Sequence, residues 1–198
     1  TNPRKQFDAT RHAELTASIH AQGVLVPLLC RPLTSQQLEV VAGARRYHAA
    51  KAAGLLTVPA IIRTLTDTEA LEVQIIENLQ RDDMHPLDEA EAYHTLRATA
   101  GYDLATLAAK VGKSRRDAAQ RLQLTALTPE VHTAFRDDRV STRHAFLIAR
   151  LPANDQAAAL KACYRPRWSL DGEVEQLISA AELAEWIEHN LHLHLSRA

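Results

Sequence analysis

Gly43-Ala44-Arg45-Arg46-Tyr47-His48-Ala49-Ala50 follows a short apolar run, Leu38-Glu39-Val40-Val41-Ala42, and opens a stretch of helical composition. A strand, a glycine turn and a helix start bearing two arginines can hold a phosphate. The first turn of a helix offers backbone N–H groups without intrahelical partners, and the dipole there favours negative charge. Gly43 lets backbone approach an anion closely, and Arg45 and Arg46 can fork onto its oxygens. Taken by themselves, these eight residues fit an ordinary strand-to-helix turn with solvated arginines better. What surrounds them decides.

Glu77, Asn78 and Arg81 stand at i, i+1 and i+4 and share one side of a helix. A carboxylate plus an amide oxygen are hard ligands, suited to magnesium bound through nucleotide phosphates. On spacing alone a Glu77–Arg81 ion pair, worth only ~0.3–0.5 kcal/mol, is the better reading. Further along, Leu104, Leu107, Ala108 and Val111 form an apolar stripe at i, i+3, i+4 and i+7. Gly112 allows a tight turn, and Ser114 with Asp117 resembles a capping box for a second helix. On that helix Ala118 and Leu122 face inward, while Arg116, Gln120 and Gln123 share another face beside Arg115. This is the pattern of a helix-turn-helix whose second helix enters the major groove of DNA. Lys113, Ser114, Arg115, Arg116 and Gln120 are the candidates for base or phosphate contact. A helical hairpin with a solvated basic face fits the same residues equally.

The elements that must carry these groups are legible from periodicity. Asp8 can cap a helix over about Thr10 to Gln22, stopped by Gly23. Leu25 to Arg31, Leu38 to Ala42 and Val58 to Arg63 read as strands, with a helix from Arg45 to Ala53 and another from Thr66 or Asp67 to Leu79. From Pro86 onward everything reads helical until Tyr164–Gly172, a stretch with Pro166 and Trp168 that resembles a linker before a last helix over Ser179 to Asn190. The expected organisation is α+β: a small mixed α/β domain at 1–84, an all-helical domain at 85–163 with the helix-turn-helix at 104–125, and a linker plus helix at 164–198.

At 198 residues, with 46% hydrophobic and 24% charged residues, the chain has the composition of a globular protein with one or two cores. The formal net charge is −1, so a nucleic-acid site has to be a local basic patch. Cys30 and Cys163 form no spacing motif and fit a reducing compartment. No apolar run approaches membrane-spanning length. His189, His192 and His194 match no zinc spacing and read as surface histidines, and Trp168 and Trp186 as packing residues of the C-terminal segment.

The order and spacing of four segments resemble the ParB partition-protein family: Leu15–Leu28 around Gln22-Gly23, the Gly43–Ala50 turn, Glu77–Ala90 and Leu104–Arg115. The resemblance runs from about Asn2 to about Leu151. It implies a ParB/sulfiredoxin-like N-terminal fold, CTP and Mg2+ as ligands, and slow hydrolysis that resets a switch; no dedicated general base stands out. By resemblance Gly43, Ala44, Arg45 and Arg46 cradle the phosphates, Glu77, Asn78 and Arg81 bind triphosphate and magnesium, and Gln22 and Gly23 line the nucleobase side. It further implies a homodimer on a palindromic centromere-like DNA site, acting as a sliding clamp in the cytoplasm on a nucleoid or plasmid. A ParA-type ATPase would be engaged through a segment outside this chain, and no equivalent of the family's C-terminal dimerisation domain is recognisable before Ala198. A nucleotide-independent helix-turn-helix repressor is the alternative. An ATP-using sulfiredoxin-like enzyme needs a cysteine in the glycine turn, where this chain has Ala44 and Arg45.

Overall fold

The computed structural model describes residues 3–34, 36–80, 84–169 and 172–191. The chain divides into two compact units, Thr1–Gln80 and Arg81–Ala198.

Helix α1 (Pro3–Gln22) opens the first unit and begins ahead of the expected Thr10, so Asp8 lies within it instead of capping it. Proline is well suited to a first helical position, because its missing N–H would have no intrahelical partner there. Gly23 ends α1 in the left-handed region, φ 73, with its N–H on the Ile19 carbonyl at 2.8 Å. Strands β1 (Leu28–Thr34) and β2 (Gln37–Ala42) pair antiparallel, and β3 (Ala60–Ile62) joins β1 in parallel, giving the order β2-β1-β3. Both β1 and β3 start just after a proline, Pro27 and Pro59, which has no N–H to give a ladder; that explains why they begin later than Leu25 and Val58. Pro32 is accommodated inside β1 because β3 covers only Leu28 to Cys30, and the β1–β2 register shifts between Pro32 and Thr34.

Helix α2 (Ala44–Ala52) packs on α1 through Ala49 and Ala50, whose small side chains let Ile19 seat between the helices together with Leu15, Val24 and Val58. Helix α3 (Asp67–Leu79) starts at a complete capping box, Thr66 with Glu69, and lies against β2. Arg31 on β1 fastens its first turn: Nη1 is 2.7 Å from Asp67 Oδ1 and donates to the Leu65 carbonyl, while Nε pairs with Glu39 at 2.6 Å.

The second unit is built from α4 (Pro86–Ala100), α5 (Leu104–Lys110), α6 (Arg115–Gln123), a 3-10 turn at Leu124–Ala126, α7 (Pro129–Arg136), α8 (Thr142–Ile148), α9 (Ala153–Ala162) and α10 (Ala180–Asn190). One core gathers Leu87, Leu124, Val131, Phe135, Ile148 and Leu160, and it also takes Leu183 and Ile187 from α10. The expected linker at Tyr164–Gly172 is a correction: β4 (Tyr164–Ser169) and β5 (Gly172–Leu177) form an antiparallel hairpin, so the unit is not all-helical. In a two-stranded sheet both strands are edges, and a proline at position 166 therefore breaks no interior ladder. The hairpin is tied down at its base. Ile178 N–H donates to the Cys163 carbonyl at 2.9 Å, and Tyr164 donates its hydroxyl to the Arg139 carbonyl at 3.0 Å. Buried His144 donates Nε2–H to the Ile178 carbonyl, since a carbonyl can only accept, which leaves Nδ1 to accept from Ser141. The C-terminal helix thus shares its core with α4, α7, α8 and α9, and Trp186 packs against it.

Candidate nucleotide and DNA sites

In the first unit, β2 runs from buried Val41 directly into Gly43, which caps α2 with φ 94 and ψ 23 and without any side-chain cap bond. Only glycine fits there. A β-carbon would come within 2.8 Å of Leu28 Cδ2, a fully buried core atom, and 3.0 Å of Arg46 Nη2. The Tyr47 N–H closes the first turn on the Gly43 carbonyl at 3.1 Å, and Ala44 and Arg45 stand exposed at the helix head. Arg46 folds back: Nη1 donates to the Val26 carbonyl at 2.5 Å and the Pro27 carbonyl at 2.8 Å. The guanidinium therefore ties the segment leading from Gln22 and Gly23 to the glycine turn.

Structure thus brings Gly43 and Arg46 together with the 26–27 segment, which sequence spacing does not reveal. Glu77 and Asn78 lie exposed on the last turn of α3. Among the described residues neither is hydrogen-bonded to the Gly43 turn, and Arg81 lies outside the described residues. No group of three or more His, Cys, Asp or Glu that could hold a metal occurs among the described residues. A magnesium ion at Glu77 and Asn78 would consequently need phosphate oxygens to complete its shell. The cradle at Gly43, which has no room for a β-carbon, and the basic helix head fit a phosphate chain.

In the second unit, Asp103 caps α5 by accepting from the Thr106 N–H at 2.7 Å, and the Thr106 hydroxyl, then this N–H, hold its carboxyl below the usual range. Helix α5 ends in a Schellman turn at Gly112, φ 66: Lys113 N–H reaches the Ala108 carbonyl and Gly112 N–H the Ala109 carbonyl. Ser114 then caps α6, accepting from Asp117 N–H at 3.0 Å and donating to Asp117 Oδ2 at 2.7 Å. Its hydroxyl is engaged in the cap. Ala118 is fully buried against the rest of the unit, whereas Lys113, Ser114, Arg115, Arg116 and Gln120 are all exposed.

Arg116, Gln120 and Gln123 line one side of an open groove of about 680 Å³; Arg143 and Phe146 of α8, Arg150 of the turn after it and three alanines of α10 lie along the rest. Three arginines and no carboxylate border it. Residue order does not single out Arg143 and Arg150, because α8 ends at Ile148 and the turn after it, not a shared helical face, brings Arg150 to the groove. His189 is exposed and hydrogen-bonded to the Glu185 carbonyl; His192, His194 and the Trp168 side chain lie outside what is described.

Two family models match the chain in series, the ParB N-terminal domain over residues 1–79 and the ParB HTH domain over residues 82–183. The chromosome-partitioning protein Spo0J of Thermus thermophilus is 42% identical over 159 residues, 80% of this chain and 58% of that protein. The chain thus spans little more than half the length of that relative. The C-terminally truncated ParB from Caulobacter crescentus, in its crystal structure with the centromeric parS site, superposes with TM-score 0.66 at 36% identity, covering 77% of this chain and 79% of that one. The same truncated protein complexed with CTP-gamma-S is 38% identical over 75% of this chain and 84% of that one, with TM-score 0.35. With a glycine-headed turn before α2 and a capped helix-turn-helix in place, the matches of both ParB models, over 1–79 and 82–183, establish that this chain belongs to the ParB family.

Proposed function

We propose that this chain is the nucleotide- and DNA-binding part of a homodimeric ParB-type partition protein, a DNA clamp loaded at a palindromic centromere-like site and switched by CTP binding and slow hydrolysis. The observation that carries this reading is the left-handed Gly43 at the head of α2, with no room for a β-carbon and with Arg46 drawing the Val26 and Pro27 carbonyls to it. Backbone amides of the first α2 turn and the Arg45 and Arg46 side chains hold the phosphates. Gln22 and Gly23 stand at the head of the segment that faces the base. Glu77 and Asn78 offer oxygen ligands to Mg2+, which when bound neutralises phosphate charge, and Arg81 adds a cation. Cytidine is supported by the resemblance and by the Caulobacter ParB, which has been crystallised with CTP-gamma-S as well as with parS.

On the DNA side α6 enters the major groove with Arg116 and Gln120 toward base edges, while Lys113, Ser114 and Arg115 sit at the turn near the backbone. Arg143 and Arg150 extend the contact to α8 and the turn that follows it. Nucleotide promotes engagement of two N-terminal units around the duplex, hydrolysis or product release reopens them, and the assembly works in the cytoplasm on a nucleoid or plasmid, with a ParA-type ATPase as partner.

Calorimetry with each of the four ribonucleoside triphosphates and Mg2+, with and without a parS duplex, tests this. CTP alone is expected to bind, and Arg46→Ala to abolish that binding while parS affinity stays near wild type. Equal heats for all four nucleotides, or DNA residence that ignores CTP, would leave the nucleotide-independent repressor as the better account.

A further inference from the structure

Beneath α6 lies a charged cluster that the DNA surface does not use. Tyr93 on α4 is almost fully buried, and its hydroxyl donates to Glu89 Oε1 at 2.5 Å. Glu89 Oε2 takes the Nε–H of Arg121 on α6 at 2.8 Å, with the two side chains 18% and 24% exposed. The Arg121 guanidinium carbon stands 5.7 Å from the centre of the Phe146 ring on α8. Its Nη1 is buried and has no hydrogen-bond partner among the described residues. Burial, then the bond to Glu89, raises the Tyr93 hydroxyl far above the ordinary phenol value, so it stays a donor.

Such a cluster is a poor source of stability. A shielded ion pair roughly breaks even against apolar packing, and an orphaned donor adds a further cost. What it supplies is a single geometry, because the guanidinium is held at two points, by its Nε–H on Glu89 and by its place beside the Phe146 ring, while Tyr93 holds the other carboxylate oxygen. Glu89 and Tyr93 stand one turn apart on α4, and Arg121 directly follows Gln120 on α6. Lys113 and Gln120, two DNA candidates, line a recess of about 220 Å³ together with Glu89, Tyr93 and Arg121. The cluster is the floor under the reading face.

We propose that Glu89, Tyr93 and Arg121 are positioning residues for sequence recognition: they set the rotation of α6 about its axis, and so decide which side chains reach base edges, without touching DNA themselves. The inference rests on α6 being the helix that enters the major groove. Base contacts demand a defined helix rotation, whereas long arginine and lysine side chains find phosphates from many rotations. Loss of the cluster therefore acts on discrimination and spares non-specific affinity.

The test uses the full chain and fluorescence anisotropy on a parS duplex and a scrambled duplex of equal length, over a range of salt. In Glu89→Gln the amide nitrogen cannot accept, so one of the two donors loses its partner; Arg121→Lys keeps the charge and loses the Nε–H donor and the planar group beside the Phe146 ring. Each is expected to lower the parS-to-scrambled affinity ratio about tenfold, the scale of one mismatched base pair. Scrambled affinity and its salt slope stay near wild type, while the melting temperature falls modestly because one partner of the pair is left uncompensated. The double variant is expected to be no worse than either single change, because both break one coupling. Tyr93→Phe, which keeps the buried ring, lowers the ratio about threefold and decides the matter if the other variants fold poorly. An unchanged ratio in these variants while Arg116→Ala lowers it overturns the inference alone. Parallel loss of parS and scrambled binding overturns it too, by showing a merely structural role. If Arg116→Ala also leaves the ratio unchanged, α6 is not the reading helix and both readings fall.

Discussion

Arg46 shows how one side chain can serve a site through the backbone it holds. Its two bonds to the Val26 and Pro27 carbonyls mean that removing the guanidinium frees the segment leading into β1 as well as changing the charge at the helix head. Gly43 is the complementary case, where nothing may be added. A methyl group at that position meets Leu28, which is buried and cannot retreat, in a backbone conformation that L-residues rarely adopt. Gly43→Ala is therefore expected to cost ~1–3 kcal/mol in urea unfolding followed by circular dichroism, and to weaken CTP binding in calorimetry. An unchanged midpoint would mean that the turn relaxes around the new atom. Sequence alone singled out Gly43, Arg45 and Arg46 but not the bracing role of Arg46, since the carbonyls it holds come from a segment about 20 residues earlier.

Helix ends are where the elements of this chain are decided. Thr66 with Glu69 and Ser179 with Glu182 form complete capping boxes, and Asp103 and Ser114 cap α5 and α6. All follow from residue order, and so most helices were readable to within a residue or two. Helix α4 has a less obvious cap: His85 Nδ1 accepts from the Leu87 N–H at 3.1 Å, which requires the neutral ring. Burial, and after it the Arg136 charge, hold His85 below its ordinary 6.5, partly offset by Asp88 and Asp138. The unfolded chain therefore takes up the proton first. Stability from this group is complete above about pH 6.5 and is lost as pH falls through the lower folded value. His85→Asn keeps a capping acceptor that does not titrate. The fall in melting temperature from about pH 7.5 to about pH 5.5 should shrink in that variant, a window above carboxylate titration. The β4–β5 hairpin was the element not legible, because Pro166 masks a strand whose pairing partner and anchors, the Cys163 and Arg139 carbonyls, are fixed only in three dimensions.

At the scale of the whole molecule the two units divide their surfaces sharply. Among the described residues every exposed large apolar side chain, from Leu25 to Ile62, belongs to the first unit. The proposed engagement of two N-terminal units would bury some of this exposed apolar surface. The second unit carries the basic groove on a chain whose formal net charge is only −1. The proposed DNA affinity would then come from a local group of cations rather than from bulk charge. Arg150→Ala is expected to weaken parS and scrambled duplexes alike and to reduce the slope of log K against log salt by about 1. A change confined to parS would instead make Arg150 a base reader. No helix among the described residues is long and apolar enough to cross a membrane.

Residue order alone determined the glycine turn after β2, the caps and stripes of the helix-turn-helix, and the family resemblance, because each is a local pattern that one strand or one helix turn enforces. Tertiary structure alone decided which residues distant in sequence meet: Arg46 with Val26 and Pro27, Glu89 and Tyr93 with Arg121, Arg143 and Arg150 with Arg116. Those meetings depend on how helices and strands pack, and periodicity reports only which face of an element is apolar, not what the packed neighbour presents to it.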